Sequence, residues 1–359
     1  MRKFLVAGLA AGAMVTGASL CRADERGVPE WAGVEQFAVL PDGVRYPEGI
    51  TANPATGEIY VGTFDFIGPN PNKLVRFGKN GHVAAQRDFG VTPLLGLEFD
   101  AAHNKVFILN FGASKVQRIA AAFDSTTAVE DVAVIPAIGA AVPRTVGNPD
   151  GSSDTITFGS SGFPAPNAMV FDQAGNLYVS DSFQGAIFRI DNAKTCAPPC
   201  AVTQISHDPL LATAGFPPFG ANGLALNPAE TALFIGNTGD NRVLKMDIAT
   251  KAVSVFAESV HGADGLLFDS GGRLWVAANQ ADELVALNDK GRAIARVGGS
   301  HGIRHDGTPR GLLFPASIVI VRDHMYVTNL AVPLTPAVGD EPEEDVTRWT
   351  VARFRVPER

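Results

Sequence analysis

One pattern of apolar and polar positions recurs along the chain. Each copy alternates apolar and polar residues, turns, and continues into a second short apolar stretch. The six copies are EGITANPATGEIYVGTF (from Glu48), LGLEFDAAHNKVFILNF (Leu95), NAMVFDQAGNLYVSDSF (Asn167), NGLALNPAETALFIGNT (Asn222), DGLLFDSGGRLWVAANQ (Asp264) and SIVIVRDHMYVTNL (Ser317). Alternation around Gly, Asn-Pro or Ser-Gly turns predicts β-hairpins. The copies begin roughly 40 to 70 residues apart, which is typical of propeller blades.

Further strands extend each hairpin. A third strand follows in NKLVRFG, AIFRID and RVLKMDI, and a fourth in AVSVFAES. Four strands repeated six times predict an all-β fold, a six-bladed β-propeller with four-stranded blades. The last copy offers strands near 317–322, 324–330 and 349–356 but no fourth. We expect VEQFAVL at 34–40, which precedes the first copy, to supply that strand, to close the ring and to cover exposed sheet edges.

Long connections are expected to gather on one face of the ring. The segments 136–166, 206–221 and 299–316 each run from an outer strand to the next inner strand. The acidic stretch 331–347 joins the second and third strands of the last blade, and this connection emerges on the same face. Long loops that share a face are usually functional, although simple tolerance of insertions is the alternative.

The N-terminus has the pattern of a secretory signal peptide. Residues 1–23 combine Arg2 and Lys3 with an apolar stretch and end at Ala23. A lipoprotein modified at Cys21 is the alternative, which Leu20 disfavours. The sequence thus predicts an exported protein, periplasmic or secreted. Residues 24–359 would form a single propeller domain with 136–166 as an inserted loop. No membrane association is expected once the signal is removed.

Charge and cysteine content restrict the partners. Removing the three basic residues of 1–23 leaves 26 basic against 37 acidic residues, a net charge of −11. Nucleic acid is therefore not an expected partner. In an exported chain, Cys196 and Cys200 are expected to form a small disulfide. We expect a monomer that acts on a small molecule, since a closed propeller can stand alone.

The first residue of each repeat carries the candidate chemistry. A propeller brings these positions together around one axis, and they are Glu48, Leu95, Asn167, Asn222, Asp264 and Ser317. Two carboxylates and two amide carbonyls suit Ca²⁺ or another oxygen-preferring divalent cation, with water completing the shell. Capping of turns is the alternative role for any one of these side chains.

The segments GADGLLFDSGGRLWVA, GANGLALNPAETALFI and PEGI resemble those of the senescence marker protein/gluconolactonase/luciferin-regenerating family of six-bladed calcium propellers. The resemblance covers nearly all of residues 24–359. It implies a divalent metal held by Glu48, Asn222 and Asp264, with Asn167 beside the metal or the substrate. It also implies that Asp264 is the general base or acid.

Two departures from that family concern the substrate. Ile50-Thr51 follows Glu48-Gly49 where sugar lactonases usually have Pro and an aromatic residue. Pro164, Ala165 and Pro166 precede Asn167, so the usual Arg is missing, and Ala168 replaces an Asp. These changes argue against a sugar lactone more than against the metal.

The resemblance implies metal-assisted hydrolysis of a lactone or ester, in which the cation polarises the carbonyl. Among seven histidines, His261 is the first candidate for an additional base because it lies three residues before Asp264. Asn167 and Ser317 are the candidate substrate-binding residues.

Two other functions stay open. A non-catalytic NHL-type propeller would use the long loops to bind a ligand or protein without metal. A strictosidine-synthase-like propeller would perform a metal-free condensation with a channel Glu, a role that Glu48 suits, whereas Asn222 and Asp264 fit it poorly.

Overall fold

The computed structural model describes residues 30–31, 33–66, 68–159, 163–336 and 339–357. The proposed signal peptide, 1–23, lies outside this range. Among the described residues, no helix is long and apolar enough to span a bilayer.

The chain forms six four-stranded antiparallel sheets arranged as a six-bladed β-propeller, which confirms the expected fold. From the inner strand outwards, blade one contains β3 (Pro47–Ala52), β4 (Ile59–Thr63), β5 (Lys73–Phe77) and β6 (Val83–Asp88). Blade two contains β7 (Leu94–Asp100), β8 (Lys105–Asn110), β9 (Lys115–Ala120) and β10 (Glu130–Val134). Blade three contains β13 (Pro166–Phe171), β14 (Leu177–Asp181), β15 (Ala186–Ile190) and β16 (Thr203–Ser206).

The remaining blades follow the same order. Blade four contains β17 (Ala221–Leu226), β18 (Ala232–Asn237), β19 (Arg242–Asp247) and β20 (Val253–Glu258). Blade five contains β21 (Ala263–Phe268), β22 (Leu274–Ala278), β23 (Glu283–Leu287) and β24 (Ala293–Gly298). Blade six contains β27 (Pro315–Val321), β28 (His324–Asn329), β29 (Thr350–Arg355) and, as its outer strand, β2 (Glu35–Val39).

The N-terminal strand closes the ring as predicted. β2 pairs antiparallel with β29, with Glu35 opposite Arg353 and Val39 opposite Thr350. Just before it, the two-residue strand β1 (Glu30–Trp31) pairs parallel with β24 on the outer edge of blade five. β2 therefore completes blade six, and β1 covers the outer edge of blade five.

Successive residues of the second strands face opposite neighbours, and this explains their nearly continuous apolar sequences. In β22, Leu274 and Val276 pack against blade four, whereas Trp275 and Ala277 pack against blade six. Six apolar clusters fill the six spaces between adjacent blades. Because Trp275 is fully buried in one of them, truncating it to Ala should cost about 3–5 kcal/mol.

Every inner strand contains an irregularity in its register with the second strand, near its N-terminal end. There the inner strands approach one another so closely that a side chain does not fit. A Cβ at Gly49 would clash with the carbonyl oxygen of Leu95, and one at Gly223 with that of Asp264. These glycines let the inner strands converge around the central channel.

The long connections form additional structure on the face where the inner strands begin, which we call the upper face. Two hairpins lie in them, β11–β12 (Arg144–Gly147, Ser153–Ile156) and β25–β26 (Ser300–Ile303, Pro309–Gly311). Among the described residues, short 3-10 helices span Phe111–Ala113, Pro209–Leu211, Asn279–Ala281 and Pro342–Asp345. On the opposite, lower face, a disulfide joins Cys196 and Cys200 between β15 and β16.

Candidate functional site

The strand irregularities place one residue of each blade at the upper end of the channel. These residues directly follow the first paired residue of each inner strand, and they are Glu48, Leu95, Asn167, Asn222, Asp264 and Ala316. Five of the six expected residues thus occupy equivalent positions. Ser317 does not, because β27 begins with Pro315 opposite Asn329 and Ala316 takes the equivalent place.

Ser317 lies instead in the wall of the channel on the lower side. The predicted position is one residue too late. Each of the other polar copies starts with an acid or an amide followed by a small residue, and the last copy has no such pair to mark its start. The expectation that Ser317 joins the upper ring is therefore wrong.

The two asparagines are fixed through their amide groups. Asn222 donates from Nδ2 to Oγ1 of Thr238 at 2.8 Å, and Asn167 donates from Nδ2 to Oγ of Ser182 at 3.0 Å. Both amides are buried. The hydroxyl groups donate onward to backbone carbonyls, with Thr238 Oγ1 2.8 Å from the Ala263 oxygen. Each asparagine is thus held by its own blade and anchored to the next one.

A second ring surrounds the first. Its members follow the last paired residue of each second strand, and they are Phe64, Phe111, Ser182, Thr238, Asn279 and Leu330. Asn279 donates from Nδ2 to Oδ2 of Asp264 at 3.1 Å. Asn279 is not among the residues predicted from the repeat starts, although its position after WVAA, aligned with Thr238 after FIGN, indicates it.

Glu48 and Asp264 form a buried acidic pair. Both side chains are about 4% exposed. Burial, together with the negative charge of Asp264, raises the pKa of Glu48 well above its usual value. Burial likewise raises the pKa of Asp264 to about 7, although hydrogen bonds from Asn279 and Asn222 oppose that rise. Two carboxylates in such a place favour either a shared proton or a bound cation.

The acidic pair borders a cavity of about 70 Å³. Glu48, Asn167, Asn222 and Asp264 line it from the inner ring, and Thr238 and Asn279 from the second ring. The rest of the lining is apolar, with Leu95, Phe64, Phe219 and Leu330 among its members. The cavity therefore has one part suited to charge and one suited to hydrocarbon.

An oxygen-preferring cation fits this donor set. Glu48 Oε2 is buried and accepts no hydrogen bond, so this oxygen is available to a ligand. Carboxylate and amide oxygens are the ligands that Ca²⁺ prefers. In the described parts of the chain, no three His, Cys, Asp or Glu side chains gather as a metal cluster, so the fit depends on the asparagines.

His261 lies apart from these groups. It is exposed on the turn before β21 and does not line the cavity. The neighbouring Gly262, with a φ of +65°, passes so close to Asn279 that a side chain there would clash with its amide oxygen. The turn at 261–262 thus supports Asn279 from behind while His261 faces solvent.

Comparison with known proteins agrees with this architecture. Residues 163–299 match the family model described as SMP-30/Gluconolactonase/LRE-like region. Over these residues the chain is similar to that family. The matched segment contains blades three to five, and therefore Asn167, Asn222, Asp264 and Asn279. The family resemblance inferred from the sequence is confirmed. No curated protein matches the sequence significantly.

Solved structures extend the likeness to the whole ring. A luciferin-regenerating enzyme is 14% identical, with a TM-score of 0.62 over 89% of this chain and 94% of its own. Regucalcin from Agrobacterium tumefaciens, described as calcium-binding, is 15% identical, with a TM-score of 0.58 over 91% and 95%. A gluconolactonase from Xanthomonas campestris is 13% identical, with a TM-score of 0.54 over 90% and 89%. At these identities, the similarity to these solved structures establishes the fold of the chain.

Proposed function

We propose that this SMP-30-like propeller is a divalent-cation-dependent hydrolase of a lactone or ester. The observation that carries the proposal is the convergence of two buried carboxylates, Glu48 and Asp264, with two buried amides at one end of the channel. The gluconolactonases among its structural neighbours support the reaction class.

The cation would be Ca²⁺ or a similar hard ion held by Glu48, Asp264, Asn222 and Asn167. When bound, it would supply Lewis-acid polarisation of the substrate carbonyl. Glu48 suits the role of a permanent ligand because its Oε2 has no hydrogen-bond partner in the protein. Asn222 presents its carbonyl oxygen in a fixed direction because its amide nitrogen is held by Thr238.

Asp264 is the proposed proton carrier. Water adds to the carbonyl carbon and gives its proton to Asp264; the C–O bond to the leaving oxygen then breaks, and Asp264 returns the proton to that oxygen. Asn279 orients the Asp264 carboxylate through its 3.1 Å hydrogen bond and is a positioning residue. Asn167, two blades away from Asp264 in the ring, would bind the substrate beside the carbonyl.

The remaining parts of the proposal rest on the sequence. The segment 1–23 supports export to the periplasm or the exterior, and the closed ring supports a monomer with a small-molecule substrate.

The first experiment measures metal content and calcium-dependent melting of the purified protein and of Asp264→Ala. We expect about one cation per chain and a higher melting temperature with calcium in the wild type only. Turnover across a panel of lactones and esters should depend on the same ion and should disappear in the variant.

A protein that binds no divalent cation would contradict this mechanism. Metal-independent ligand binding without turnover would then favour an NHL-type binding propeller. Metal-free condensation that depends on Glu48 would favour a strictosidine-synthase-like enzyme.

A further inference from the structure

Above the carboxylate cavity, the long loops build a continuous wall of aromatic rings. The wall consists of Phe64, Phe66, Phe111, Phe163, Phe183 and Phe219. Neighbouring ring centroids are 4.9 Å apart for Phe64 and Phe66, 5.4 Å for Phe64 and Phe111, and 5.4 Å for Phe183 and Phe219. We call this wall, together with Phe216 and the prolines and leucine that complete it, the phenylalanine funnel.

The funnel encloses about 560 Å³ and no charged side chain lines it among the described residues. Its residues come from separate connections: Phe64 and Phe66 in blade one, Phe111 in blade two, Phe163 before blade three, Phe183 within blade three, 216–219 before blade four, and 333–336 in blade six. Because six separate segments contribute apolar residues to one concavity, the apolar character is not a property of one loop.

Two of its rings remain open to solvent. Phe66 is 57% exposed and Phe216 is 55% exposed. Exposed apolar surface that is concentrated in a concave patch marks a binding site, since leaving such rings in water costs free energy.

The funnel leads directly to the candidate site. Phe64, Phe66 and Phe219 line both the funnel and the cavity that holds Glu48 and Asp264. A ligand that fills the funnel can therefore place its end beside the acidic pair. A partner protein with a convex surface would reach the funnel but not the narrow cavity beneath it.

We infer that the substrate carries a long apolar or aromatic group, which the phenylalanine funnel binds while the reacting carbonyl enters the cavity below. This inference rests on the proposed function and names the substrate class for the same site. Sugar hydroxyls placed in the funnel would lose their hydrogen bonds to water without gaining partners, a penalty that disfavours polyhydroxylated lactones.

A series of γ-lactones that differ only in the length of their alkyl substituent, from methyl to octyl, tests the inference. With the calcium-loaded protein, kcat/KM should rise about two- to fourfold per added methylene until the funnel is filled. A sugar lactone should be a much poorer substrate than the octyl lactone.

Phe66→Ser and Phe216→Ser probe the funnel without opening the core, because both rings are more than half exposed. In each variant the increase in kcat/KM per added methylene should be smaller than in the wild type. The loss in kcat/KM should therefore be about tenfold larger for the octyl than for the methyl lactone. Val255→Ser, at a 40% exposed position on β20, is the matched control and should leave the whole series unchanged.

The binding of a non-hydrolysable octyl-substituted cyclic ether, measured by calorimetry, separates the two proposals. If no lactone is hydrolysed but the ether binds and Phe216→Ser weakens its binding, the proposed hydrolase activity is wrong. The inference that the funnel binds an apolar ligand is then supported. Hydrolysis that does not depend on chain length, or ether binding unchanged by both variants, overturns the funnel's role. A concentration-dependent dimer that Phe216→Ser abolishes would also overturn it, by assigning the surface to a second copy.

Discussion

The two ends of the propeller channel are built from the same six strands, yet they differ in chemistry. The lower end is wider, with a cavity of about 270 Å³, but Glu98 is its only acidic group among the described residues. The upper cavity is about 70 Å³ and brings together Glu48, Asp264 and two asparagines. The convergence of buried carboxylates, and not the size of the cavity, is therefore our reason for placing the candidate site at the upper end.

The largest expected difference between the two ends is in catalysis. Asp264→Asn should lower kcat/KM by about 10³-fold or more and abolish the calcium-dependent rise in melting temperature, because it removes the proton carrier and a ligand charge. Glu98→Gln, the same acid-to-amide change at the partly buried acid of the lower end, should leave turnover unchanged. Equal losses in both variants would show that activity does not reside at the upper end.

The same Asp264→Asn variant should be more stable than the wild type without calcium, by about 1–2 kcal/mol at pH 8. Removing one of two buried negative charges relieves their repulsion. Urea unfolding of both proteins, with and without calcium, measures the free energy of unfolding and its increase on calcium binding. Lower stability of the variant in both conditions would contradict a paired acidic centre.

Asn279→Ala should have an intermediate effect. It removes the hydrogen bond to Asp264 Oδ2 without touching the reacting carbonyl, so we expect kcat/KM to fall about 10- to 100-fold. The pKa on the acidic limb of the pH–rate profile should rise, because that hydrogen bond holds the pKa of Asp264 down. A loss of activity with an unshifted profile would indicate a merely structural role.

On the lower face, the disulfide should contribute to stability alone. Replacing Cys196 and Cys200 by Ala opens a short loop, which should cost about 2 kcal/mol of unfolding free energy. Lactone turnover at 25 °C should be unaffected, since the loop lies between β15 and β16, away from the upper cavity. Thermal melting with and without reductant, beside a turnover assay, measures both quantities.

The smallest expected effect concerns Glu98 itself. Burial raises its pKa to about 7 from an ordinary 4.5, so the folded chain retains a proton that the unfolded chain has released. The free energy of unfolding should therefore fall as pH rises from 4.5 through 7, and Glu98→Gln should recover about 1–2 kcal/mol at pH 8. The exposed Glu258→Gln is the control, and it should leave the pH dependence of urea unfolding unchanged.

The sequence predicts the fold well because the same pattern of strands and turns recurs in each of the six blades. The closing strand at 34–40 is predictable for the same reason, since blade six has three candidate strands and needs a fourth. Register is harder to predict: Ser317 and Ala316 differ by one position, and only the pairing of Pro315 with Asn329 distinguishes them.

The site is predictable only where its residues occur at repeat starts. Glu48, Asn167, Asn222 and Asp264 satisfy that condition, whereas Asn279 lies at the end of a second strand. The phenylalanine funnel has no repeat signal, because its rings come from loops of unrelated length. Loop residues converge through tertiary structure, which the local pattern of the chain does not encode.

Closure of the ring also determines when the two strands that close it become available during synthesis. The hydrogen-bonded pair of Glu35 and Arg353 joins residues 318 positions apart, so β2 is synthesised long before its partner strand β29. Until then β2 is an unpaired strand edge that other chains can capture, and blade six is incomplete. Synthesis of β29 therefore decides whether the ring closes or whether the open edge of β2 stays exposed to aggregation and proteolysis.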